Sequence, residues 1–170
     1  CALPLRTSLK GRVNYVGTLD FGLPGPVGSY HSVRIGTASI GDIRLAVNAA
    51  DSQSGWAAAQ GDPAVGPETR IIITGSHTAS AYAVAEGRAD IAFIDAVTWQ
   101  LLQRNTSQFA DIPVQSRTQP TPGLPLITAL SQDPKPLRAA LDAVINGAPV
   151  RGSDALGGLS GFYVWPESTY

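Results

Sequence analysis

The runs Arg70-Ile71-Ile72-Ile73 and Asp90-Ile91-Ala92-Phe93-Ile94 constrain this chain more than any other feature. Each is too short for a helix, is rich in branched or aromatic side chains, and precedes a segment of helical composition. Strands with apolar side chains on both faces belong inside a sheet that is covered on both sides. Ile43-Arg44-Leu45-Ala46-Val47 is a third strand of this kind. Gly55 to Gln60 starts a short helix that Gly61-Asp62-Pro63 stops, Ala79 to Glu86 is a compact helix with Gly87 as its left-handed end, and Ala96 to Arg104 resumes the helical pattern. Strands alternating with short helices from Ile43 onward predict an α/β sheet with βαβ crossovers.

Outside that region the pattern is looser. Val13 to Val16 alternates as a short strand, and Leu23 to Ser29 is a Gly- and Pro-bearing loop. Tyr30 to Ile35 reads as one strand. Ile112 to Arg117 and Leu124 to Ala129 flank the turn Gln119-Pro120-Thr121-Pro122-Gly123. Pro136 to Asn146 is the clearest amphipathic helix, with Leu137, Ala140, Leu141, Val144 and Ile145 on one face. A Gly-rich tail follows from Val150, with Phe162-Tyr163-Val164-Trp165 returning to pack.

Composition removes several function classes. The 170 residues are 44% hydrophobic and 15% charged, with a net charge of −1, which argues against nucleic acid or an anionic membrane as partner. One cysteine excludes an intrachain disulfide, and with two histidines a metal site is not expected. No cofactor is expected either. No apolar run approaches the roughly 18–20 residues that span a bilayer. The chain starts at Cys1, without Met or signal peptide, so it is expected to be processed or cut from something longer; Cys1 reads as a fragment boundary rather than a lipidated terminus.

Two polar corners carry the candidate chemistry: Asn48-Ala49-Ala50-Asp51-Ser52-Gln53-Ser54-Gly55-Trp56 and Thr74-Gly75-Ser76-His77-Thr78-Ala79-Ser80. Each leads from a strand into a helix. Helix starts present unpaired N–H groups, so two of them facing one gap form a small-anion site that needs no net charge. In open α/β sheets ligands sit beyond the carboxyl ends of strands, where Ser52 to Gly55, Gly75 to Thr78 and Asp95 all fall. Plainer roles exist for each. Ser52, Ser54 and Asp95 can act as helix caps, His77 as a solvated loop residue, and Tyr30 as a packing aromatic. His31 reads as structural or exposed, and Trp56 and Trp99 as core residues on helix faces.

At these residues the sequence resembles the phosphate/phosphonate-type substrate-binding proteins of ABC importers, the periplasmic phosphonate-binding family. The carriers are Asp51 to Gly55, Thr74 to Ser80, Val84 to Trp99 and Pro122-Gly123-Leu124-Pro125. The resemblance implies a type II periplasmic-binding-protein fold of two lobes with βαβ units. Residues 34–111 would form the second lobe with the anion-binding turns, and 1–33 with 112–170 the remainder of a first lobe, incomplete because relatives carry a further N-terminal segment. It also implies a monomer in the periplasm that captures phosphonate, phosphite or phosphate as the lobes close, and passes it to a membrane permease. By analogy Ser52, Ser54 and His77 contact the anion, Tyr30 lines the cleft, and Asp95 binds a ligand O–H or amine. Gln53 stands where some relatives carry another hydroxyl. Two alternatives use the same residues: a ligand-sensing domain of a regulator, and a Ser/His/Asp hydrolase, disfavoured because nothing matches a Gly-x-Ser-x-Gly elbow. The chain is therefore expected not to be an enzyme.

Overall fold

In the computed structural model, which describes residues 2–38, 42–147 and 157–169, the strand Ile91–Asp95 is the spine of the larger sheet. In chain order the elements are α1 (Ala2–Arg6), β1 (Val13–Asp20), β2 (Ser29–Tyr30), β3 (Ser32–Gly36) and β4 (Arg44–Val47), then a π-helical turn (Gln53–Ala57). They continue with β5 (Arg70–Ile73), α2 (His77–Ala85), β6 (Ile91–Asp95), α3 (Ala96–Asn105), a 3-10 turn (Ser107–Phe109) and β7 (Val114–Arg117). The last are β8 (Thr121–Pro122), β9 (Pro125–Ala129), α4 (Pro134–Ile145), β10 (Gly161–Tyr163) and a 3-10 turn (Glu167–Thr169). The chain divides into two compact units: Cys1–Tyr30 with Pro120–Tyr170, and His31–Gln119. Cys1 and the first part of the expected Gly-rich tail, 150–156, lie outside the described residues.

The second unit holds a five-stranded sheet in the order β5-β4-β6-β3-β7. β4 runs parallel to β5 and β6, while β3 runs antiparallel to β6 and β7. Alternation along the strands divides the core in two. Ala46, Ala92 and Ile94 meet Ala81 and Ala83 of α2, Trp99 of α3 and Phe109; Leu45, Val47, Ile91 and Phe93 meet Ala59, with Trp56 packed against them. The alanines of α2 let that helix lie close to the sheet. Gly87 takes φ +70° just past the end of α2, as the sequence predicts for a left-handed stop.

The strand Arg70–Ile73 corrects one expectation. It pairs in parallel with β4 as expected, but it is the edge of the sheet rather than a strand buried on both faces. Ile72 packs against the α2 side, whereas Ile71 and Ile73 are 37% and 59% exposed. The apolar cluster on their face is completed by residues of the β4–β5 connection and includes neither of them. The expected strand from Tyr30 to Ile35 is also two strands, because β2 pairs with β8 in the first unit and β3 pairs in the second.

The first unit is a three-stranded antiparallel sheet, β10-β1-β9, with α4 on one face. A register shift between Tyr15 and Gly17 on β1 leaves carbonyls that Arg138 of α4 takes up, Nη2 donating to Tyr15 O at 2.7 Å and Nε to Val16 O at 2.8 Å. Of the segment Phe162 to Trp165 expected to return and pack, Phe162 enters the core beside Val16 and Ile145, while Tyr163 and Val164 are exposed. Of the apolar face expected on α4, Leu141 and Ile145 pack inward, while Leu137 and Val144 are 43% and 61% exposed. Arg138 at the sheet turns the helix away from the face that periodicity alone selects.

Two substitutions test this packing by chemical denaturation. Phe109→Ala removes a fully buried ring stacked edge-on with Tyr82 and Trp99, and should cost about 3–5 kcal/mol. Val144→Ser should stay within about 0.5 kcal/mol of the parent. A large loss at Val144 would contradict the orientation of α4.

Candidate functional site

The carboxyl ends of β4, β5 and β6 place three corners of the second unit together. β4 runs into the Asn48–Gly55 corner, where Ser52 caps the π-helical turn: its Oγ accepts from Gly55 N at 3.0 Å. A π-helical turn widens the backbone locally and occurs often where function resides. β5 runs into Thr74 and Gly75, and the φ of +89° at Gly75 turns the chain into α2. Ser76 caps that helix by accepting from Ala79 N at 3.0 Å, and Thr74 Oγ1 lies 2.6 Å from the buried Ser80 Oγ. β6 ends at Asp95, which caps α3 by accepting from Thr98 N at 2.9 Å through Oδ1.

Three of the expected residues meet around one nitrogen. Ser54 Oγ lies 2.7 Å from His77 Nε2, and Asp95 Oδ2 lies 3.7 Å from the same atom. The Asp95 carboxylate thus serves as cap with one oxygen and faces His77 with the other. Ser52 and Ser54 are both buried, at 5% and 6% exposure. Gln53 is half-buried as the first residue of the π-helical turn. Tyr30 belongs to the first unit, where it is buried on β2. His31, buried in the second unit, has its pKa lowered by burial and by the nearby Arg117.

Burial is also the largest influence on His77. It pushes the imidazole below its ordinary pKa of 6.5, against Asp95 and the backbone of Phe93, which both favour the charged ring. The Phe93 backbone acts on the ring as a hydrogen-bonding group, and Nδ1 is buried. In the Ser54–His77 contact the tautomer of the neutral ring decides which partner donates: Nε2–H to Ser54 Oγ, or the Ser54 O–H to Nε2. A hydrolytic triad needs the acid on Nδ1, and an Nε2 lone pair to take the serine proton.

Asn48 is the residue that sequence reasoning passed over. Its carbonyl accepts from Gly75 N at 3.1 Å, and its side chain lies against Gly55. No sequence signal marks an asparagine at a strand end for such a role. Among the described residues no cluster of three or more His, Cys, Asp or Glu is arranged to hold a metal ion, and no helix is long and apolar enough to cross a membrane.

The family described as ABC transporter, phosphonate, periplasmic substrate-binding protein matches residues 36–159, a stretch that contains all three corners. The chain belongs to this family. It is a family of binding proteins, as the resemblance implies. Solved structures carry the same fold. PhnD1 from Prochlorococcus marinus, in complex with methylphosphonate, is 11% identical with a TM-score of 0.75, over 99% of this chain and 72% of that one. A Xanthomonas citri protein bound to ATP is 18% identical with a TM-score of 0.68, over 98% and 70%. A binding protein component of an ABC phosphonate transporter from Pseudomonas aeruginosa is 16% identical with a TM-score of 0.63, over 93% of this chain and 58% of that one. At these identities the likeness establishes the fold, the α/β architecture of type II periplasmic-binding proteins. Comparison with curated proteins finds no match.

The lowered histidines make stability depend on pH. Both folded imidazoles titrate below 6.5, so between that value and their folded pKa the unfolded chain binds more protons. Stability therefore rises with pH across this window and is lost on acidification below 6.5. Thermal melts from pH 7.5 to 5 should show a falling midpoint, with a shallower slope in a His31→Asn/His77→Gln double variant. Equal slopes would contradict the burial assigned to these rings.

Proposed function

We propose that the chain is a periplasmic solute-binding protein that captures a small phosphorus oxyanion and delivers it to the permease of an ABC importer. Phosphonate, phosphite and phosphate share the chemistry the site offers. The observation that carries the reading is the approach of Ser54 Oγ to His77 Nε2 across two corners, each at a helix start. Both groups are donors for an oxyanion, and the leading N–H groups of α2 point the same way along its axis. The methylphosphonate bound in PhnD1 of Prochlorococcus marinus supports the choice of ligand class.

In this reading an arriving anion takes the Ser54 hydroxyl proton and the Nε2–H of His77 as hydrogen bonds, in place of the contact the two make with each other. Ser52 adds its own O–H, because only its lone pair is engaged by Gly55 N. The Asp95 carboxylate near the same nitrogen repels a fully deprotonated anion, so it favours a ligand that brings an O–H or an ammonium group. Gln53 offers an amide where some relatives have a hydroxyl and tunes which substituent is accepted. In this reading no bond is made or broken: the Asp95 carboxylate faces Nε2, the nitrogen beside Ser54, whereas a hydrolytic triad places its acid on Nδ1.

Calorimetric titration with methylphosphonate, 2-aminoethylphosphonate, phosphite, phosphate and sulfate tests this reading. At least one phosphorus oxyanion should bind and sulfate should not. Ser54→Ala and His77→Ala should each weaken binding by about tenfold or more, the loss of a hydrogen bond to a charged group. Unchanged affinity in both variants, or no binding of any phosphorus oxyanion, would overturn it.

A further inference from the structure

Asn48 touches both corners of the site from the end of β4. Its backbone carbonyl accepts from Gly75 N at 3.1 Å, just as Val47 O accepts from Thr74 N at 2.9 Å, and so fastens the corner that carries His77. Its side chain lies against Gly55, so closely that a Cβ on Gly55 would collide with Asn48 Oδ1, and the Ser52 Oγ lies 3.3 Å from the same position. Oδ1 is buried and has no hydrogen-bond partner among the described residues. A buried, unsatisfied acceptor is costly, and an apolar side chain of similar size would avoid that cost. Because Oδ1 is closed off from solvent, it does not reach a ligand directly. What the carboxamide does is fill the space between the end of β4 and the π-helical turn.

We propose that Asn48 is a positioning residue. Its carboxamide, wedged against Gly55, sets where the turn that bears Ser54 sits, while its carbonyl holds the turn that bears His77, and the 2.7 Å approach of Ser54 Oγ to His77 Nε2 follows from both. Gly55 and Asn48 form a matched pair: one carries no side chain because the other occupies its place. The effect on affinity rests on the anion-capture reading above; the effect on the Ser54–His77 contact does not.

Gly55→Ala, Asn48→Ala and the double variant separate these. In a helical turn alanine is otherwise preferred to glycine, so a defect in Gly55→Ala reports the collision rather than backbone preference. The ligand-free chains are compared by the imidazole 15N and 1H resonances of His77, by methylphosphonate titration and by thermal melting. Gly55→Ala should shift the Nε2 resonance and weaken methylphosphonate binding about tenfold. Asn48→Ala, which removes volume, should fold and also shift the resonance. In Asn48→Ala/Gly55→Ala the added methyl takes the vacated space, and resonance and affinity should move back toward the parent values. A general loss of stability would not produce that recovery. A parent-like His77 resonance in both single variants, or a double variant as impaired as the two single effects combined, would overturn the proposal. Resonances that behave as expected in a chain that fails to bind methylphosphonate would retain the positioning role and reject the capture reading.

Discussion

A hydrogen bond between Ser54 Oγ and His77 Nε2, 2.7 Å long, joins residues 23 positions apart, and the architecture of the second unit is what makes it available. β4 lies in parallel between β5 and β6, so all three release their following segments at one end of the sheet. The serine corner, the histidine corner and the Asp95 cap are thereby neighbours without any contact in sequence. The hydrogen bond itself is worth only about 1 kcal/mol. Its importance is geometric: it brings side chains from two separate turns together, and in the proposed function one oxyanion bridges them.

The electrostatics of the corner follow from burial rather than from charge. The chain carries a net charge of −1, so no bulk field draws an anion in. In the proposed function attraction comes from helix-start N–H groups, hydroxyls and an imidazole in a partly desolvated corner, where charge–dipole interactions are stronger than in water. Burial lowers the pKa of His77, against the pull of the nearby Asp95 carboxylate. The same three residue types that would compose a hydrolytic triad are thus arranged with acid and hydroxyl on one nitrogen. A triad instead has the acid on the opposite nitrogen from the hydroxyl.

The sequence made the alternation of strand and helix from Ile43 onward legible, and with it the positions of Ser52, Ser54, His77 and Asp95 at strand ends. Residues 91–94, apolar on both faces, do sit in the middle of the sheet. Ile71 and Ile73 show where the inference stops: apolar composition marks a strand, but whether it is central or at an edge depends on what the next connection covers. The stripe Leu137, Ala140, Val144 on α4 shows the same limit, since the Arg138 hydrogen bonds to β1 carbonyls decide the face. Tyr30 and His31 are adjacent in sequence yet belong to different units, a division that no local pattern encodes. Asn48 was illegible because its contribution is a fit against Gly55, seven positions later, and not a chemical motif.

In the proposed function Ser54 and His77 exchange their mutual hydrogen bond for bonds to one bound oxyanion. A structure of this chain determined with methylphosphonate tests that exchange. Phosphonate oxygens should lie within hydrogen-bond distance of both Ser54 Oγ and His77 Nε2. A methylphosphonate bound elsewhere, with the Ser54–His77 contact intact, would contradict it.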